Sequence, residues 1–244
     1  MKKIIVAALI STLVLAGCSS EPKAGVPEKQ QMDNDLTSVK QTLADYAAEE
    51  NNQAKAWIQV PDTNIDDPIF QADDNLYWLR RDENGSYSVW GVYFADYECS
   101  LGDELSRNTV IYGHSSLNDE TEGKKFTELK KLNLQDFAKD HRYFLFATGS
   151  EEYVATIFSV GYWADSAQYL YADPSDAAFE ELLKDAADHS IYNYGVDVGS
   201  EDHIITLSTC TGNDQERFVV MARLGSEYTG QLGSLEINPT PKGA

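Results

Sequence analysis

The chain has 244 residues, with 19 Lys and Arg against 40 Asp and Glu, a formal net charge of -21 and a pI near 4.4. That balance excludes nucleic acid as a partner, because phosphate binding needs clustered basic side chains, and the 14 Tyr and 4 Trp exclude a disordered acidic chain. The length suits one sizeable folded domain with a short appendage.

At the N-terminus, Lys2 and Lys3 precede an apolar run from Ile4 to Leu15, followed by Ala16-Gly17-Cys18-Ser19-Ser20. This is the pattern of an export signal, and the run is shorter than the ~20 residues a spanning helix needs. The small residues before Cys18 resemble the bacterial lipobox, which implies that Cys18 becomes the lipidated first residue of the mature chain; an uncleaved anchor is the alternative. Residues 1–18 are therefore expected to be signal and lipidation site. Residues 19–34, rich in Pro, Glu, Gln and Lys, are expected to be a flexible tether. Leu36, Val39, Leu43, Tyr46 and Ala47 then recur at helical spacing and predict an amphipathic helix packed on the domain.

Beyond Ala56 short runs of β-branched and aromatic residues alternate with turn clusters such as Pro61-Asp62-Thr63-Asn64 and Glu83-Asn84-Gly85-Ser86. They predict strands near Trp57–Val60, Ile69–Gln71, Ser88–Phe94, Thr109–Tyr112, Tyr143–Ala147, Tyr153–Trp163, Ile204–Thr209 and Phe218–Leu224. About eight strands with few long helices imply a mainly β fold, a sandwich or a closed barrel. One helix falls between the sixth and seventh strands, where Pro174-Ser175-Asp176 supplies a start signal and Phe179, Leu182, Leu183 and Ala186 an apolar face. The folded domain is expected to cover 35–225. Residues 226–244, interrupted by Gly230, Gly233, Pro239, Pro241 and Gly243, are expected to fray.

The chemistry centres on His203-Ile-Ile-Thr-Leu-Ser-Thr-Cys210, an apolar strand ending on a thiol, with Arg217 seven residues on. With Cys18 set aside for lipid, Cys99 and Cys210 are too few for a disulfide framework, although one bond between them is open. Cys99 is expected to be a half-buried, inert residue. A cysteine nucleophile needs an acid–base partner and donors for the oxyanion formed in acyl transfer. Of the four histidines, His114 in Val110-Ile-Tyr-Gly-His114 stands out, because it follows a strand and a glycine that allows a tight exit. Arg217 carries a permanent charge and several rigid donors, suited to a substrate carbonyl or a developing oxyanion. Taken alone, His114 reads more readily as an ordinary loop histidine and Arg217 as a solvated strand-end residue.

Thr206-Leu-Ser-Thr-Cys210, Tyr112-Gly-His114, Arg217-Phe-Val-Val and Gly91-Val-Tyr-Phe94-Ala-Asp96 resemble the signature of the class B sortases, in the family's order of His, Cys and Arg. The resemblance runs from about Trp57 to Leu224, and the helix near Ser175–Ala187 is similar to a class B insertion. It implies a closed, roughly eight-stranded β-barrel and a cysteine transpeptidase without metal or cofactor. Cys210 would attack the carbonyl after a Thr in the C-terminal sorting signal of an exported protein, giving a thioester. His114 would protonate the leaving amine and deprotonate the incoming one, while Arg217, with a backbone amide near Cys210, would stabilise the oxyanion. The acceptor would be a peptidoglycan-precursor amine or a pilin lysine. Ser208 would share a strand face with Cys210 and is an accessory candidate. The expected location is the outer face of the cytoplasmic membrane, held by lipid or an N-terminal anchor.

An ordinary thiol is about 3% thiolate at pH 7, so ionisation alone supplies roughly 30-fold. Positioning and oxyanion stabilisation must supply the rest. A peptidoglycan L,D-transpeptidase also orders His before Cys, but its Ser-His-Gly-Cys-like run is missing from Thr206–Cys210. A non-catalytic lipoprotein that binds wall peptides is the alternative outside enzymology.

Overall fold

The computed structural model describes residues 29–118, 120–230 and 234–243. The signal, Cys18 and most of the expected tether lie outside the described residues. Among the described residues no helix is long and apolar enough to cross a membrane.

Helix α1 (Lys29–Glu49) begins inside the segment expected to be tether. Leu36, Val39 and Leu43 fall at i, i+3 and i+7, and this stripe packs on Trp57, Tyr143, Leu145 and Val154. Tyr46 adds an edge-on contact to Trp57, with centroids 5.6 Å apart. Each aliphatic side chain buried this way stabilises the docked helix by about 1.5–3 kcal/mol.

The remaining elements build a closed barrel from β1 (Ala54–Gln59), β2 (Asp66–Phe70), β3 (Tyr93–Ala95), β4 (Asn108–Tyr112), β5 (Tyr143–Thr148), β6 (Glu152–Ala164), β8 (Ile204–Cys210) and β9 (Glu216–Gly225). Their order around it is β1-β2-β3-β4-β8-β9-β6-β5, and β5 closes back on β1. The pairs β2–β3 and β4–β8 are parallel and the rest antiparallel. Ile58, Ile69, Tyr93, Ile111, Phe144, Phe146, Leu207 and Val220 fill the interior. All eight expected strands have a counterpart. The third is shorter than expected: Gly91 takes φ 57°, so Ser88–Gly91 bends before β3 starts.

Between β5 and β4 lie a 3-10 segment (Lys125–Asn133) and a short helix α2 (Gln135–Asp140) that the sequence did not announce. Helix α3 (Asp176–His189) stands between the sixth and seventh barrel strands, as expected. The Ser175 hydroxyl caps it by accepting from the Ala178 N–H. Phe179, Leu182 and Ala186 cover Trp163, Tyr169, Ile204 and Met221 on the outer face of the barrel. Strand β8 is thus buried on both faces, Ile205 and Leu207 turned to the interior and Ile204 to the side that α3 covers.

The expectation of a frayed tail over 226–244 is corrected in part. Strand β10 (Glu236–Ile237) pairs with β7 (Tyr192–Asn193), and the Asn238 side chain donates to the Ser190 carbonyl at 2.8 Å. Leu235 is 3% exposed and joins the barrel core. A few apolar side chains scattered among glycines and prolines carry no periodic signal, although the burial of Leu235 anchors the segment.

Candidate active site

The parallel pairing of β4 with β8 aligns Val110 with Thr206, Ile111 with Leu207 and Tyr112 with Ser208. Two residues further along each strand stand His114 and Cys210. The alignment is locked past the end of the ladder, where the Thr209 hydroxyl donates to the Gly113 carbonyl and the Ser115 hydroxyl to the Cys210 carbonyl, both at 2.6 Å. On the other side of β8, the turn through Thr211–Gln215 brings β9 back antiparallel, so that Arg217 faces Cys210 across the pair. The Thr211 hydroxyl closes this turn, accepting from the Asn213 N–H and donating to the Glu216 carboxylate, each at 3.1 Å.

His114, Cys210, Arg217, Ser208, Tyr169 and Leu79 all line one cavity of about 440 Å³. The fold therefore brings together the three residues singled out in the sequence. Ser208 lies in the wall as well; it is buried, and its hydroxyl shares a 2.9 Å hydrogen bond with the Tyr169 hydroxyl.

Nε2 of His114 lies 2.9 Å from the Leu79 carbonyl oxygen. A carbonyl only accepts, so neutral His114 carries its proton on Nε2 and keeps Nδ1 as its basic nitrogen. Gly91 makes this arrangement possible, because a Cβ there would lie 2.6 Å from that same Leu79 oxygen. Burial is the main cause holding the His114 pKa below its ordinary 6.5, with Arg80 repulsion acting in the same direction and the Leu79 bond against it.

One nitrogen of Arg217, Nη1, donates to the Asp214 and Glu216 carbonyls at 2.9 and 2.8 Å. These bonds fix the guanidinium plane, and it makes no ion pair among the described residues. Its remaining N–H groups are available to an oxygen in the cavity.

Cys210 is half-buried and unpaired. Cys99 is also free, but it is 6% exposed, deeper than expected. Burial pushes its thiol up to about 12, and its sulfur lies between the Asn108 carbonyl and the Val110 N–H. The other histidines are engaged elsewhere. His141 stacks on Phe137 and meets Asp62, His189 stacks on Trp163, and His203 meets the Ser106 carbonyl.

A half-buried thiol facing a guanidinium, with an imidazole at the end of the neighbouring parallel strand, is suited to acyl transfer through a thioester. The sortase domain family matches residues 58–225. The chain belongs to the sortase family. It is 34% identical over 178 residues to sortase B of Listeria monocytogenes, covering 71% of this chain and 70% of that protein. The structure of that species' sortase B superposes with a TM-score of 0.64 at 32% identity, covering 74% of this chain and 99% of the other. A Staphylococcus aureus sortase B–substrate complex gives a TM-score of 0.69 at 26% identity, covering 80% and 92%. This sortase is a sortase B homologue and a cysteine transpeptidase.

The sequence missed the cavity walls that come from loops and short 3-10 turns. Asn75, Leu79 and Arg80 lie in the long β2–β3 connection, and Tyr169 and Leu170 in a single 3-10 turn (Gln168–Leu170). None belongs to a periodic run. The sole hint was Gly91, whose placement against Leu79 only the folded chain reveals.

Proposed function

We propose that this sortase cleaves the C-terminal sorting signal of exported proteins after a Thr and transfers them to an amine. Cys210 passes its thiol proton to Nδ1 of His114, attacks the Thr carbonyl carbon and forms the C–S bond. The tetrahedral intermediate then expels the amine of the following residue, which takes a proton from His114, leaving a thioester. The incoming amine gives its proton to His114, attacks the thioester and releases Cys210 as product leaves. Arg217 donates to the oxyanion in both half-reactions, a contribution worth about 10²–10³-fold for a single donor.

The observation that carries this reading is the register that sets Arg217 opposite Cys210 on one side of β8 and extends β4 to His114 on the other. The S. aureus relative bound to a substrate supports a sorting signal as the ligand class. The acceptor is a peptidoglycan-precursor amine or a pilin lysine, and the enzyme works at the outer face of the cytoplasmic membrane, tethered through a lipid on Cys18 or through an uncleaved N-terminal anchor.

The test is to incubate the purified protein with fluorescent peptides of the Asn-Pro-Gln-Thr-Asn and Pro-Pro-X-Thr-Gly kinds, beside Cys210→Ala. Cleavage that survives in Cys210→Ala removes Cys210 as the nucleophile, and no cleavage of any peptide removes the substrate class. Arg217→Lys keeps the charge but loses the planar fork, so its kcat should fall nearly as far as that of Arg217→Ala. The mass of membrane-extracted protein decides the tether, since residues 1–17 still attached would rule out lipidation at Cys18.

A further inference from the structure

The 3-10 segment Lys125–Asn133 carries a different kind of side chain on each of its three faces. Residues three apart eclipse one another in a 3-10 helix, whereas an α-helix would splay them by about 60°. Phe126, Leu129 and Leu132 enter the barrel core, Glu128 and Lys131 pair with each other at 3.1 Å, and Thr127 and Lys130 form the third row. That third row is polar yet buried, with Thr127 0% and Lys130 4% exposed. A lysine taken this far out of water needs acceptors for its ammonium.

Both side chains meet the loop 114–118 that leaves β4. Nζ of Lys130 donates to the Ser116 and Asn118 carbonyls at 2.7 and 2.8 Å, and the Ser116 N–H donates to the Thr127 hydroxyl oxygen at 2.8 Å. The backbone of the segment joins in, since the Phe126 N–H donates to the His114 carbonyl at 2.9 Å. The loop also lies against the turn that follows the nucleophile. The Ser115 hydroxyl donates to the Cys210 carbonyl, and a Cβ on Gly212 would lie 2.5 Å from the Leu117 carbonyl oxygen. His114 thus heads a bridge of chain that the 3-10 segment grips and that rests on Cys210–Gly212. The steps assigned to Cys210, His114 and Arg217 make no use of Thr127 or Lys130.

We infer that Lys130 and Thr127 are positioning residues for the transfer reaction: by holding the 114–118 loop they set where the His114 imidazole stands relative to the Cys210 sulfur. An ammonium draws two carbonyls toward one point, which a neutral side chain of the same length cannot do, and such charge-assisted bonds are roughly twice as strong as neutral ones. Thr127 adds the acceptor for the Ser116 N–H, so Ser116 is held at its amide and at its carbonyl. Neither residue is a group of the reaction itself; both act through the loop on His114. The inference deepens the proposed function, because it rests on His114 being the acid–base group.

The test separates position from stability. Histidine-ring NMR of the full chain reads the His114 titration midpoint, with His114→Gln assigning the signal, and cleavage of peptides of the Asn-Pro-Gln-Thr-Asn kind gives kcat and KM. Lys130→Met and Thr127→Val should each loosen the loop, expose the imidazole and move its midpoint up toward the ordinary 6.5. Each should also lower kcat, by up to about 10²-fold for a displacement of about 1 Å, and by far more than it raises KM. Thr127→Ser keeps the acceptor and should match the wild type. Loss of the Lys130 charge raises the midpoint by itself, so Thr127→Val, which changes no charge, carries the decision, and it does so too should Lys130→Met fail to fold. Leu235→Ala should lower Tm and leave the His114 midpoint where it is. The inference is overturned if Thr127→Val or a folded Lys130→Met leaves midpoint and kcat unmoved, if Thr127→Ser is impaired as much as Thr127→Val, or if Leu235→Ala moves the midpoint equally at an equal loss of Tm. A wild type that cleaves no peptide overturns the transpeptidase steps instead, while the NMR series still decides the positioning.

Discussion

Replacing Gly113 by Ala should damage both stability and activity, by amounts that the packing around it sets. A Cβ at this position would meet ring atoms of Phe126 and Tyr93 at 2.6 Å, against the 3.4–4 Å of an ordinary contact. Both rings are fully buried and lie on one another, with centroids 4.5 Å apart, so neither has free space to enter. Relief therefore requires the backbone between Tyr112 and His114 to move by about 1 Å, or the two rings to leave their wells, at about 1–3 kcal/mol. For a domain of this size 2 kcal/mol lowers Tm by about 4–8 °C. A displacement of about 1 Å in the residue beside His114 costs about 10²-fold in kcat/KM. Thermal unfolding followed by circular dichroism, together with peptide cleavage, measures the two effects. Gly149→Ala is the control, since nothing lies within 4 Å of a Cβ there. A Gly113→Ala protein as stable and active as Gly149→Ala would refute the reasoning.

Iodoacetamide should label Cys210 in the native protein and leave Cys99 untouched until denaturant is added, because Cys99 is buried and its thiol is pushed up to about 12; peptide mapping by mass spectrometry reads both. His114 titrates below 6.5 when folded and near 6.5 when unfolded, so between those values the unfolded chain holds more protons and stability rises with pH. His114→Gln should flatten that rise in urea unfolding. Arg80→Gln should move the His114 titration upward by NMR, and a downward move would contradict the assigned cause. Leu235→Ala should cost about 2–3 kcal/mol in urea unfolding, since the side chain is 3% exposed in the barrel core; no change would mean that the segment after Gly225 does not dock.

The elements most legible in the sequence were those whose burial repeats. Leu36, Val39 and Leu43 announced α1, Phe179, Leu182 and Ala186 announced α3, and each barrel strand stood out by its β-branched and aromatic content. The thiol, imidazole and guanidinium were legible as chemistry, but only the resemblance joined them, because His114 and Cys210 meet through a parallel pairing that no local pattern encodes. Asn75 was invisible for a different reason. It is an ordinary polar residue in a turn-rich stretch, and its partners come from distant elements. The 3-10 segment at Lys125–Asn133 lacked the 3.6-residue period that marks a helix. It nonetheless places Phe126 against Gly113, and so helps to set where His114 lies.

The parallel β4–β8 pair also governs when the enzyme becomes competent. Almost a hundred residues separate the partners, so their pairing demands a long loop closure and belongs among the slow, non-local events of folding. Until that closure happens, Cys210 sits on a strand that has β9 on one side and an open edge on the other, far from His114 and with no formed cavity around it. A chain in which the barrel has not yet closed therefore carries a thiol without the cavity in which a peptide carbonyl could acylate it. Recovery of peptide cleavage after dilution from denaturant would track closure of the barrel itself, and would lag behind the appearance of helix.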